Sequence, residues 1–157
     1  MKNLALIVAG GTGNRFGGEV PKQYRKIGNK TILQLSAEAF ANHPQVDAVL
    51  LVISKDHESF YNLDFPYCIG GAARQDSVRL GLIEALKYNP QNVLIHDAAR
   101  PFVNAEVISN VIEGLQAHDA AIPTIVAKDS MRLEGAHIDR SKLQIIQTPQ
   151  GFNFKKI

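Results

Sequence analysis

The sequence predicts an α/β domain in which a mostly parallel sheet is flanked by helices. Three observations carry this expectation. Four apolar runs, Leu4–Val8, Ala48–Ile53, Asn92–Ile95 and Ala120–Val126, are continuous rather than alternating, as strands covered on both faces are. Stretches with helical spacing separate them, as crossovers between parallel strands require. Glycine-rich segments directly follow the first run, at Gly10–Gly18, and precede a helical stretch, at Gly70–Gly71.

Along the chain, each element has a local reason. Leu4–Val8 is the first strand. Thr31 and Gln34 form a capping-box pattern, behind which Ile32, Leu35 and Ala39 recur at i, i+3 and i+7. Ala48–Ile53 is the second strand, and beyond Gly70-Gly71 the residues Val78, Leu82 and Ala85 continue the helical logic. Asn92–Ile95 is the third strand. Asn104 caps a helix marked by Ile108, Val111, Ile112 and Leu115. Ala120–Val126 reads as one more buried strand. Met131–Leu133 and Leu143–Gln147 are strand-like pieces around the polar stretch Glu134–Lys142, which reads as a hairpin arm over about 131–147. After Thr148-Pro149-Gln150-Gly151 a new segment opens at Asn153 and reaches Ile157, so residues 1–157 read as one domain incomplete at its carboxyl end.

Composition narrows the function classes. With 157 residues, one domain is the natural expectation. Hydrophobic residues make up 45% and charged residues 20%, well inside the globular range. Lys and Arg number 17 against 15 Asp and Glu, a net charge of +2, with no basic run to serve as a nucleic-acid footprint. No apolar stretch approaches the roughly 20 residues of a membrane span. Cys68 stands alone, which excludes an intramolecular disulfide and a cysteine-rich zinc site, and a cytoplasmic protein is expected.

The most informative segment is Ala9-Gly10-Gly11-Thr12-Gly13-Asn14-Arg15-Phe16-Gly17-Gly18. In open α/β sheets ligands bind beyond the carboxyl ends of strands, and small residues let backbone N–H groups approach phosphate oxygens. Glycine also serves plain turns. A Walker A loop fails, because Glu19 and Val20 follow Gly18; a dinucleotide fingerprint fails, because Phe16 stands where its third glycine belongs. The loop is distinguished by its cations, Arg15 within it and Lys22 in Pro21-Lys22-Gln23-Tyr24, placed for a polyphosphate rather than for bulk solvent. A second group, His96-Asp97-Ala98-Ala99-Arg100-Pro101, closes a buried strand. There Asp97 suits a metal ion or a ribose hydroxyl, with an N-cap or an ion pair with Arg100 as the plainer alternative. His96 reads as a satisfied core histidine and Cys68 as a small core residue. The segment Gly70–Ser77 reads as a capped tight turn or as a base-recognition element.

These motifs, A-G-G-x-G-x-R, P-K-Q-Y, G-G-x-x-R-x-D-S-V, H-D-A-A-R-P-F and T-P-Q-G-F in this order, make the chain resemble the cytidylyltransferases of the non-mevalonate isoprenoid route. That family is itself similar to the sugar-phosphate nucleotidyltransferases, which implies a Rossmann-like fold. The resemblance implies transfer of a cytidylyl group from CTP to methylerythritol phosphate, with a divalent cation, Mg²⁺, across the phosphates. It implies Arg15 and Lys22 as transition-state stabilisers, and Ala9, Gly10, Gly11 and Gly13 against the nucleotide. Gly71 and Ser77 would read the cytosine, and Asp97, Ala98 and Arg100 would hold ribose, metal or acceptor, with Asp97 the metal ligand. Ser130, Arg140 and Thr148 match acceptor-contacting positions, Arg140 orienting the attacking phosphate. In that family the arm comes from a neighbouring subunit, which implies a homodimer. Ser130 departs from a common threonine, and Ala72 from a common acidic residue. Ribitol 5-phosphate is the competing acceptor, although Tyr24 and Ala99 favour methylerythritol phosphate; a CTP-binding piece without turnover is the competing class.

Overall fold

A computed structural model describes residues 2–11 and 20–157. Gly13 and Arg15 lie outside these residues. The central sheet contains β1 (Asn3–Ala9), β4 (Ala48–Ile53), β5 (Tyr67–Ile69), β6 (Asn92–Asp97), β7 (Ala120–Ala121) and β12 (Gln150–Asn153). Their order is β5-β4-β1-β6-β12-β7. The first four are mutually parallel, and β12 runs against both β6 and β7. The sheet is therefore mixed, with one reversed strand. Short β2 (Lys26–Ile27) and β3 (Lys30–Thr31) pair beside it.

Successive strand residues point to opposite faces, and here both faces are covered. Ala5 and Ile7 of β1, Leu51 and Ile53 of β4 and Leu94 of β6 join one cluster with Leu33, Ala37 and Phe40 of α1 (Ile32–Ala41) and Ile108 and Ile112 of α3 (Ala105–Gly114). Leu4, Leu6, Leu50, Val52, Val93 and Ile95 form the other with Ala85 of α2 (Arg74–Ala85). The caps are as expected: Gln34 N donates to Thr31 Oγ1 (3.0 Å) and Val107 N to Asn104 Oδ1 (2.9 Å). Among the described residues, no helix is long and apolar enough to cross a membrane.

Three local expectations are corrected. The inward stripe of α1 is Leu33, Ser36, Ala37 and Phe40; Ile32, Leu35 and Ala39 are only half-buried, because the helix is rotated by one position about its axis. The run Ala120–Val126 is not one buried strand. Pro123 has no N–H for a ladder; β7 ends before it, and β8 (Thr124–Val126) leaves the sheet with all three residues exposed. The arm is two nested ladders rather than one hairpin of the two pieces. β9 (Met131–Leu133) pairs with β10 (Ala136–Ile138), while β11 (Gln144–Ile146) pairs back with β8. Glu134 and Gly135 between β9 and β10 both have positive φ, 49° and 83°, the two-residue turn whose twist suits a tight hairpin.

Candidate functional site

Parallel strands end at one edge, and register decides which residues meet there. Ala9 lies opposite Ile53, Ile53 opposite Ile69, and Val8 opposite Asp97. Gln150 lies opposite Ile95 in the reversed β12, which carries Thr148 back to the same edge. The first turn of α2 packs directly upon it. A Cβ at Gly10 would stand 2.8 Å from Ser77 Oγ, and one at Gly70 2.6 Å from the same atom, so only glycine admits this approach. Ser77 is buried, and its hydroxyl is turned on the Gly70–Ala73 segment: Gly71 N donates to Oγ at 3.2 Å, with the carbonyls of Ala73 and Gly71 at 3.1 and 3.3 Å. Ala73 N donates to Asp76 Oδ2, which closes the helix start.

Asp97, at the end of β6, faces two guanidinium groups. Arg74 donates to Oδ1 from Nε and Nη2 (3.1 and 2.8 Å), and Arg100 Nε lies 3.5 Å from Oδ2. Arg100 Nη1 also donates to Gln147 Oε1. The turn beneath is held from inside: Ser36 Oγ donates to Ala98 O at 2.7 Å. His96, fully buried against Phe40, bridges the turn to β12. A carbonyl can only accept, so Nε2 must donate to Arg100 O (3.0 Å), which leaves Nδ1 to accept from Thr148 Oγ1 (2.9 Å). Burial holds its pKa down at about 4. A cavity of about 570 Å³ opens here, lined by His96, Arg100, Phe102, Thr124, Gln147 and Thr148 among others.

Ala9, Gly10, Gly11, Gly71, Ser77, Asp97, Ala98, Arg100 and Thr148 thus stand at one edge of the sheet. Lys22 opens a 3₁₀ turn, Lys22–Tyr24, next to β1. Ser130 and Arg140 stand apart on the arm, where Arg140 Nη1 donates to Lys128 O (2.7 Å). Arg74 was not among the residues singled out from the sequence, although its side chain is the nearest partner of Asp97. Its motif offered the residue type but not its direction. Both carboxylate oxygens of Asp97 thus face guanidinium groups, and among the described residues no three His, Cys, Asp or Glu side chains gather into a metal cluster. Cys68 is half-buried, and burial pushes its thiol up to about 11, which makes it a poor nucleophile.

Comparison with known proteins follows the same lines. Residues 4–157 match the family described as IspD: 2-C-methyl-D-erythritol 4-phosphate cytidylyltransferase. The "Bifunctional enzyme IspD/IspF" of Paramagnetospirillum magneticum is 41% identical over 168 aligned residues, covering 99% of this chain and 44% of the relative. The protein of that name from Nitrobacter winogradskyi is 43% identical, over 99% of this chain and 42% of its own. The chain therefore spans less than half the length of these curated relatives. The crystal structure of 2-C-methyl-D-erythritol 4-phosphate cytidylyltransferase from Thermus thermophilus aligns with a TM-score of 0.81 at 31% identity, over 99% of this chain and 72% of that one. The bifunctional IspDF from Campylobacter jejuni, 22% identical, shares the fold with a TM-score of 0.86, over 99% of this chain and 42% of its own. The match starts within β1 and takes in every strand of the sheet and the arm: the chain belongs to the 2-C-methyl-D-erythritol 4-phosphate cytidylyltransferase family.

Proposed function

We propose that the protein transfers a cytidylyl group from CTP to 2-C-methyl-D-erythritol 4-phosphate, giving 4-diphosphocytidyl-2-C-methyl-D-erythritol and pyrophosphate. One observation carries this reading. Close-packed glycine backbone, a carboxylate facing two guanidinium groups and a lysine-bearing turn gather at the carboxyl edge of the parallel strands, beside a cavity. Such an edge suits an anionic, ribose-bearing ligand.

The chemistry asked of these residues is electrostatic. A phosphate oxygen of the acceptor attacks the α-phosphorus in line; the new P–O bond forms as the bond to the bridging oxygen breaks, and pyrophosphate leaves with that electron pair. The acceptor phosphate is already ionised, so no protein base is required. Charge grows on the α-phosphoryl oxygens, where Lys22 and, from the resemblance, Arg15 would stabilise it. Gly10, Gly11 and Gly13 would offer backbone N–H groups to the triphosphate, and the Gly71 segment, shaped by Ser77, would meet the base. Arg100 and Thr148 would face the acceptor across the cavity.

A single carboxylate at this edge would suit Mg²⁺ carried mainly by the substrate, since such ions take one or two carboxylates together with phosphate oxygens. Asp97 would hold it, and when bound it would lower the negative charge of the phosphates. In this reading the arm reaches a second copy and brings Ser130 and Arg140 to that copy's site. Support comes from apolar residues left open on the arm: Val126, Leu133 and Ile146 are 62%, 65% and 57% exposed. A cytoplasmic setting accompanies it, because a lone thiol is all the cysteine chemistry in the chain.

Pyrophosphate release, measured with CTP, UTP and ATP against methylerythritol and ribitol phosphates, tests the reading. Turnover should be greatest with CTP and the methylerythritol acceptor. Equal use of ATP, or preference for ribitol phosphate, would overturn it.

A further inference from the structure

We infer that Gln23 is a positioning residue: its buried side-chain amide ties the Lys22 turn to the end of β1. Gln23 is 5% exposed, and its Nε2 donates to Ala9 O at 2.8 Å and Gly11 O at 3.2 Å. Those carbonyls flank Gly10, the residue seated against Ser77. The same nitrogen lies 3.3 Å from His57 Nδ1, in the segment that follows β4. An amide nitrogen has two hydrogens and no lone pair to offer, so all three neighbours act as acceptors and share them. A carboxylate could not donate here, and an apolar side chain would leave buried carbonyls unpaired.

The neighbouring residue fixes the other side of the turn. Tyr24 N donates to Pro21 O (2.9 Å), and the Tyr24 ring is stacked on Phe60 and set edge-on to His57, with centroids 5.6 and 5.9 Å away. With Tyr24 held in the core and Gln23 on the strand end, the backbone of Lys22 has one placement relative to Gly10 and Gly11. The inference rests on the function proposed above, in which Lys22 acts on the triphosphate. Misplacing such a group by about 1 Å can lower a rate about 100-fold even when the mutated residue never touches substrate.

A double-mutant cycle tests it in the active protein, read by kcat and KM for CTP. Gln23→Met keeps length and removes both donors; Gln23→Asn keeps the amide but falls one methylene short, and either variant completes the cycle. Each should lower kcat by about 10- to 100-fold with KM for CTP changed far less. Combined with Lys22→Ala, each should add little to the loss from Lys22→Ala alone, since both act through one group. Val111→Ala, on α3, supplies a variant of comparable thermal destabilisation that should retain kcat. Multiplicative losses in the cycle, or an equal fall in kcat for Val111→Ala, would overturn the inference while leaving the function intact. Absence of transfer by the wild-type protein would overturn the function, and the role of Gln23 with it.

Discussion

Acidification should destabilise this protein through His96, in a pH window set by its burial. The ring is wholly inaccessible, lies against Phe40, and has both nitrogens engaged as a neutral imidazole. Desolvation is the largest influence and lowers the pKa from 6.5 to about 4; the Arg100 carbonyl and the Asp97 charge oppose it, and the Arg100 charge adds to it. The unfolded chain therefore binds a proton between pH 6.5 and about 4 that the folded chain does not, and stability rises with pH across that window. At about 1.4 kcal/mol per pKa unit, the loss relative to pH 7.5 is about 2 kcal/mol at pH 5 and about 3 kcal/mol at pH 4. Asp47, lowered chiefly by the Asn3 N–H, and Glu38, lowered chiefly by Lys30, act in the same direction but in a lower window. Their stabilisation is present above their ordinary values of 3.8 and 4.5 and is lost only as pH falls through the depressed ones. Urea denaturation at pH 7.5, 6 and 5, on wild type and His96→Gln, separates the contributions. Gln keeps a donor for Arg100 O and does not titrate, so the variant should be less stable at neutral pH and lose little more by pH 5. A wild-type minus variant difference constant to within about 0.5 kcal/mol from pH 7.5 to 5 would refute the burial argument.

Lys22→Ala should lower kcat roughly 10²- to 10³-fold with a much smaller rise in KM for CTP, as loss of a preorganised transition-state donor does; steady-state kinetics decides, and near-wild-type kcat removes Lys22 from the site. Gly10→Ala should destabilise by roughly 1–3 kcal/mol through its contact with Ser77 Oγ, and Ser77→Ala should restore part of the loss, read by thermal denaturation. Mixing an Arg140→Ala chain with an Arg15→Ala chain should recover transfer activity that neither parent has, if the arm serves a partner's site. Mixed chains as inactive as the parents would place the arm in cis.

The fold was legible where burial is two-sided and local. Continuous apolar runs at β1, β4 and β6 read as strands covered on both faces, and Thr31 and Asn104 cap their helices because that preference depends on the next three residues alone. Elsewhere the same signal failed. Ala120–Val126 looks like β4 in composition, yet Pro123 divides it and its second half pairs with β11 in the arm. Ile32, Leu35 and Ala39 mark a stripe one position off the buried one because Ile32 and Leu35 are as apolar as Leu33. What selects Leu33, Ala37 and Phe40 is the direction from which the helix approaches β1 and β4, and that direction is tertiary.

The site divides along the same physical line. Glycine at 10 and 70 is legible because a missing Cβ is a strong local signal, even though the reason, Ser77 less than 3 Å from where each Cβ would be, lies elsewhere in the chain. The partner of Asp97 was not legible in the same way. Spacing along the chain suggests Arg100, three residues on, and the structure does bring it to 3.5 Å. The closer contact, 2.8 Å, belongs to Arg74, which sits on the first turn of a helix that crosses back over β4 and β1. Only the path of α2 across the sheet makes that pair. Gln23 is the same case: Lys22 draws notice by its charge, but the amide beside it holds the strand end, and nothing in an uncharged residue type reveals which carbonyls it faces. A sequence therefore names the groups that can act at a strand edge more readily than the neutral ones that aim them. Positioning residues have to be sought among buried amides and imidazoles whose hydrogen bonds cross between elements, as those of Gln23 and His96 do here.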